Sequence, residues 1–84
     1  MKLENGSLYG AQLNGVNGEM ILDKVNMRKA AFCGADIPHC EITGCYAAET
    51  NFSGAVLNEG ILNGSTFKKS TFNNASLFCI RAKG

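Results

Sequence analysis

The chain has 84 residues, with eight basic and seven acidic side chains for a formal charge of +1, ten glycines, one proline and no tryptophan. A domain this short struggles to bury enough apolar surface for an ordinary globular core, and its near-neutral net charge by itself predicts neither attraction to nucleic acid nor wholesale imitation of it, leaving the arrangement of charges to decide. With no long apolar run and no basic start leading into one, the expectation is a cytoplasmic protein without membrane contact, whose four cysteines are free thiols.

Leu3, Leu8 and Leu13 open a period of five. The period resumes at Leu22, one residue out of phase, and continues through Met27, Phe32, Ile37, Ile42, Ala47, Phe52, Leu57, Leu62, Phe67, Phe72 and Leu77. Neither a helix nor an ordinary strand repeats in this way. The slip places a missing residue in the stretch Asn14-Gly15-Val16-Asn17-Gly18-Glu19, where an irregular corner or bulge is expected. Its glycines are followed by neither a helix nor the Lys-Ser/Thr pair of a phosphate-cradling loop. Two residues before each large apolar position runs a second register, mostly small: Met20, Val25, Ala30, Ala35, Cys40, Cys45, Thr50, Ala55, Gly60, Ser65, Ser70 and Ala75.

Units such as Ala35-Asp36-Ile37-Pro38-His39 and Ala55-Val56-Leu57-Asn58-Glu59 resemble those of the pentapeptide-repeat family, and the resemblance runs from Leu3 to about Ala82. It implies an all-β fold, a right-handed quadrilateral parallel β-helix (a solenoid) of about four coils, with one unit per side, twenty residues per coil, and both the large and the small residue facing in. The whole chain, 1–84, is then a single domain with a register slip near 14–19 and a C-terminal cap near 78–84. Residues twenty apart stack as neighbours on this reading, so Phe32, Phe52 and Phe72 make one interior ladder and Ile37, Leu57 and Leu77 another. Gly34, Gly44, Gly54 and Gly64 recur every ten residues at corners, which predicts that alternate corners are the tight ones, with Asn74 at the next. Lys29, Glu49 and Lys69 alternate in sign down another column.

Chemistry fails on this geometry. Cys33, His39, Cys40 and Cys45 suggest a metal cluster, but Cys40 and Cys45 face in while Cys33 and His39 face out on different sides, and a zinc site needs convergent ligands. A Cys40–Cys45 disulfide across one interior corner is weighed against two small thiols filling a tight core, and the thiols are preferred. His39, Glu59 and Cys79 share an outward column, yet two coils, roughly 9.6 Å, separate His39 from Cys79, and a nucleophile must touch its base. No catalytic residue, metal or cofactor is expected.

Charge, sorted by side, carries the functional expectation. Glu19, Asp36 and Glu59 fall on the side of Ile37, and its neighbour carries Glu4, Asp23 and Glu41 against Lys2 and Lys24; together these two sides are acidic. The opposite side, centred on Met27, Ala47 and Phe67, carries Arg28, Lys29, Lys68 and Lys69 against Glu49, and the side of Phe32 is uncharged. The family resemblance implies a binding protein and not an enzyme, since several members resemble B-form DNA and inhibit or protect DNA gyrase. The expected partner is a protein, as in a small inhibitor that occupies the groove of a nucleic-acid-binding complex by partial DNA mimicry, in the manner of a phage anti-CRISPR or a gyrase-directed member, through Glu19, Asp23, Asp36, Glu41 and Glu59. The alternative is a structural or adaptor scaffold, complete or part of a larger protein. Direct nucleic-acid binding by the basic side, with Tyr46 for stacking, ranks last and is not expected. Phe78 and Ile80, near the exposed end of the coil, form the candidate surface for a homodimer.

Overall fold

A five-residue period sends the first and third side chains of a unit inward only if the chain turns a corner after each unit. In the computed structural model, which describes residues 1–83, it does so throughout. The chain winds as a right-handed β-helix whose sides meet the preceding coil in parallel register. Strands β1 (Lys2–Glu4), β2 (Ile21–Asp23) and β3 (Glu41–Thr43) pair in that order on one side, side A. Single bridges continue side A and form the other three, as in Asn26↔Tyr46↔Thr66 on side B, Ala31↔Asn51↔Thr71 on side C and Asp36↔Val56↔Ser76 on side D. The described chain measures 26 × 24 × 24 Å.

Partners in the first coil lie nineteen residues apart, as in Ser7↔Asn26, Gln12↔Ala31 and Asn17↔Asp36. From Ile21↔Glu41 onward they lie twenty apart. The first turn of side D, Asn17–Met20, is therefore one residue short.

Stacking in register puts like on like in the core. Phe32 and Phe52 lie face to face at 5.0 Å, Phe52 and Phe72 at 5.2 Å, and Phe67 meets Phe52 and Phe72 edge-on at 6.1 and 5.7 Å. Phe32, Phe52, Ile37 and Leu57 are fully buried, whereas Leu77, last in its column with no coil above it, is 41% exposed. The small register stacks likewise. Gly60 lies between Cys40 and Ile80, and a Cβ there would come within 2.7 Å of the Cys40 sulfur and 3.3 Å of Ile80 Cδ1.

Polar members of the small register tie coil to coil. The Ser65 hydroxyl accepts from Cys45 N–H at 2.9 Å and donates to the Ile42 carbonyl at 2.6 Å. Ser70 makes the same pair of contacts with Thr50 N–H and the Ala47 carbonyl, and Thr50 Oγ1 donates to the Met27 carbonyl. The Cys45 thiol repeats the arrangement one coil earlier, accepting from Val25 N–H and donating to the Leu22 carbonyl, each at 3.4 Å. Cys45 is thus a hydrogen-bonding link as well as a small core residue.

The corners depart from expectation. Glycine corners adopt positive φ, as at Gly34 (68°) and Gly44 (62°), but so do the intervening ones, at Lys29 (60°), His39 (60°), Glu49 (58°), Glu59 (63°) and Lys69 (58°). Alternation of glycine is not alternation of geometry. Each unit turns by the same device, in most cases closed by a backbone bond such as Gly60 N–H to the Leu57 carbonyl at 2.9 Å, with the third residue of the turn left-handed. Non-glycine residues there cost roughly 1 kcal/mol each, which coil stacking overrides.

At the C-terminal end, residues 78–83 run on along the prism instead of folding across it. Arg81 bridges to Ile61, and the side chains of Asn58 and Asn63 accept the N–H groups of Phe78 and Lys83 at 2.9 and 2.8 Å. Ile80 points inward as the last member of the Cys40–Gly60 column, while Phe78 is 72% exposed; the two side chains do not form one surface patch. Of the expected cap, Gly84 lies outside the described residues.

Two substitutions test this packing by chemical denaturation. Phe52→Ala empties the centre of the aromatic ladder and is expected to cost about 3–5 kcal/mol, a large share of a small domain's stability. Gly60→Ala adds one carbon and is expected to cost about 1–3 kcal/mol by overpacking; a neutral result would mean that the column is looser than its contacts indicate.

Candidate functional site

The shortened first turn of side D leaves a recess of about 440 Å³ at the corner between sides D and A. Asn17, Gly18 and Glu19 form one wall, Asp36, Pro38 and His39 the other, and Ile21 and Glu41 close it on side A. Gly18, at φ 103°, takes the bend that the missing residue imposes, and the N-terminal amino group donates to the Glu19 carbonyl, holding that wall to the start of the chain. Ile21 and Pro38 are apolar, and the rim carries three carboxylates and an imidazole. Such a combination accepts the stem and head of a basic side chain: methylenes against the apolar residues, the charge against carboxylates.

Of the five carboxylates expected to bind a partner, three, Glu19, Asp36 and Glu41, thus border one recess. Glu59 stands one coil away and reaches it through His39, whose Nε2 lies 3.1 Å from Glu59 Oε2; both side chains are largely exposed. Asp23 lies apart from the recess, on side A, in register with Glu4. Among the described residues no group of three or more His, Cys, Asp and Glu side chains is arranged to hold a metal ion, and no helix is long and apolar enough to cross a membrane.

The basic side differs from its sequence reading by one residue. Arg28, Lys29, Lys68 and Lys69 are all exposed on side B or its corner, and the guanidinium of Arg28 stands 5.8 Å above the ring of Tyr9. Tyr9 joins this side from the out-of-phase first coil of Leu8. The only local signal was its place directly after an inward leucine.

The four cysteines are free. Cys40 and Cys45 are buried, Cys33 is half-buried and Cys79 is exposed. Burial pushes the Cys40 thiol up to about 11, opposed by a backbone hydrogen bond and reinforced by the neighbouring Glu41 carboxylate. Burial raises Cys45 as well, against hydrogen bonds from Val25 and Ser65.

Residues 50–77 match a family model described as pentapeptide repeats (8 copies), and the same unit continues beyond that stretch in the structure. The chain carries pentapeptide repeats. Similar solved structures include a pentapeptide-repeat protein of the Arabidopsis thaliana thylakoid lumen (20% identity, 88% of this chain and 59% of that one, TM-score 0.38). Another is QnrB1, a plasmid-mediated fluoroquinolone resistance protein (17% identity, 95% and 66%, TM-score 0.44). A third is the pentapeptide-repeat protein Rfr23 of the cyanobacterium Cyanothece 51142 (15% identity, 94% and 86%, TM-score 0.41). The pentapeptide-repeat chain spans 59% and 66% of the lengths of the first two. No curated protein matches it.

The buried thiols make a pH prediction. Cys40 ionises near 9 when unfolded and near 11 when folded, so between these values the unfolded state binds fewer protons and stability falls as pH rises. The loss is on the order of 2 kcal/mol from pH 9 to 11, read by denaturant titration, and is expected to shrink in Cys40→Ala.

Proposed function

We propose that this pentapeptide-repeat protein is a non-enzymatic, cytoplasmic protein-binding module that docks its acidic sides, D and A, in the basic groove of a nucleic-acid-handling complex. The observation that carries the reading is the gathering of Glu19, Asp36 and Glu41 around one recess with apolar Ile21 and Pro38 between them. A groove that binds nucleic acid presents arginines and lysines at its phosphate positions, and the recess offers one such side chain both an apolar bed and carboxylate partners. Glu59, one coil further, extends the acidic line along the axis. The imitation of DNA is partial, because duplex DNA carries one charge per roughly 1.7 Å and this surface carries far fewer. A small inhibitor of a complex with a short groove, such as a phage-encoded inhibitor of a CRISPR effector, fits this density better than a long duplex mimic directed at gyrase.

A scaffold or adaptor role is the second reading, favoured by Phe78, which at 72% exposed projects from side D without a partner.

Salt and charge separate the two. Tagged protein and its Asp36→Asn/Glu41→Gln/Glu59→Gln variant are used to capture partners from host lysate at low and moderate salt. The inhibitor reading expects a nucleic-acid-binding complex held by wild type, displaced by added duplex DNA, and lost with the variant or with salt. Partners that survive all three challenges and are lost in Phe78→Ala establish the adaptor instead.

A further inference from the structure

Side B faces side D across the prism, adjoins side A, and has a character of its own. Both tyrosines of the chain stand on it, Tyr9 at 54% and Tyr46 at 65% exposure. Four of the eight cations flank them, Arg28 and Lys29 on one coil and Lys68 and Lys69 two coils further on, against a single carboxylate, Glu49. The remaining outward residues, Ser7, Asn26, Ala48 and Thr66, are small or neutral.

An exposed tyrosine presents a flat apolar ring face with a polar tip, the combination enriched at binding surfaces. Its neighbour is prearranged: Asn26 Oδ1 accepts from both the backbone N–H and the Nε of Arg28, at 3.3 and 3.1 Å, fixing the guanidinium above the Tyr9 ring. The two rows of cations are separated by two coils, roughly 9.6 Å at strand spacing, and Tyr46 occupies the coil between them. A stacked single strand advances about 3.4 Å per nucleotide, so that interval corresponds to about three nucleotides, with phosphates at the two rows and a base over Tyr46.

We propose that side B binds single-stranded nucleic acid, with Lys68, Lys69, Lys29 and Arg28 on phosphates and Tyr46 and the Tyr9–Arg28 pair as stacking platforms. Flat aromatic faces interleaved with cations recognise single strands irrespective of sequence, because every base has a π-face. A duplex hides those faces and needs an element that enters a groove, which a flat side does not supply. An anionic lipid surface is a poorer match, since side B exposes no aliphatic side chain larger than Ala48 to insert. The inference is independent of the reading of the acidic recess and uses none of its residues.

The test is fluorescence anisotropy of a labelled fifteen-nucleotide oligothymidylate with the full chain at several salt concentrations. Four phosphate contacts predict a slope of log K against log salt of about −3 for a single strand, and Lys68→Ala/Lys69→Ala lowers its magnitude by about 1.4. Tyr46→Ala, at an exposed position, is expected to weaken binding about tenfold with an unchanged unfolding midpoint. Asp36→Asn, on the opposite side, leaves binding unaltered, so failure here and failure of the acidic-side reading are told apart. Absence of binding at low salt overturns the proposal. So does binding that is insensitive to Tyr46→Ala, or that polyglutamate displaces as readily as unlabelled oligothymidylate, since either outcome describes a surface for any polyanion, an acidic peptide included.

Discussion

Everything in this molecule depends on the stacking of like upon like at one-coil spacing. A core built from identical layers needs one large and one small inward residue per unit, repeated, and the backbone bonds of each side to the next follow from that register, as in Phe32 N–H to Asn51 and Phe52 N–H to Thr71. The phenylalanine ladder, with near-parallel rings at 10° and 6°, shows the economy of the scheme. A short chain buries little surface per residue in an ordinary fold, but here each layer covers the one before it. The same rule sets the boundary: where no layer follows, the inward Leu77 stays partly in solvent.

Stacking also explains why the corners ignore local preference. A lysine, glutamate or histidine disfavours a left-handed backbone, yet Lys29, Glu49, Glu59 and His39 all adopt it, because a corner that relaxed would carry its whole side out of register with both neighbours. The strain is local and the reward is collective. The interior hydroxyls belong to the same logic. Ser65 and the Cys45 thiol accept from the N–H groups of Cys45 and Val25, which have no backbone acceptor, while Ser70 adds a second acceptor to Thr50 N–H, already bonded to the Ala47 carbonyl.

How much of this was legible follows from which properties are periodic. The inward columns, the twenty-residue coil and the sides on which Asp36, Glu41, Arg28 and Lys68 fall are consequences of counting, and counting recovers them from the chain alone. Three features escaped it. Alternate glycines at Gly34, Gly44, Gly54 and Gly64 suggested two kinds of corner, because residue preference is a property of the side chain whereas the turn is imposed by its neighbours. The recess at Glu19, Asp36 and Glu41 arises from a break in the period, and a periodic rule can locate a break without giving the shape left behind. Tyr9 and Ile80 lie in the first and last coils, where phase must be inferred from one neighbouring layer instead of two; Tyr9 proved to share a side with Arg28, and Ile80 to belong to the core column of Gly60.

A prism of this kind separates its surfaces unusually well. An outward residue on one side touches only the units above and below it, so side B can accumulate cations and tyrosines while side D accumulates carboxylates, with the core indifferent to both. Rigidity then lowers the ordering cost of binding on either side. A protein groove that ordinarily holds nucleic acid supplies both complements, basic residues on its walls and a single strand when the duplex is opened. The two surfaces described here would place this chain between them, acidic sides toward the wall and the basic, aromatic side toward the strand that the wall no longer holds.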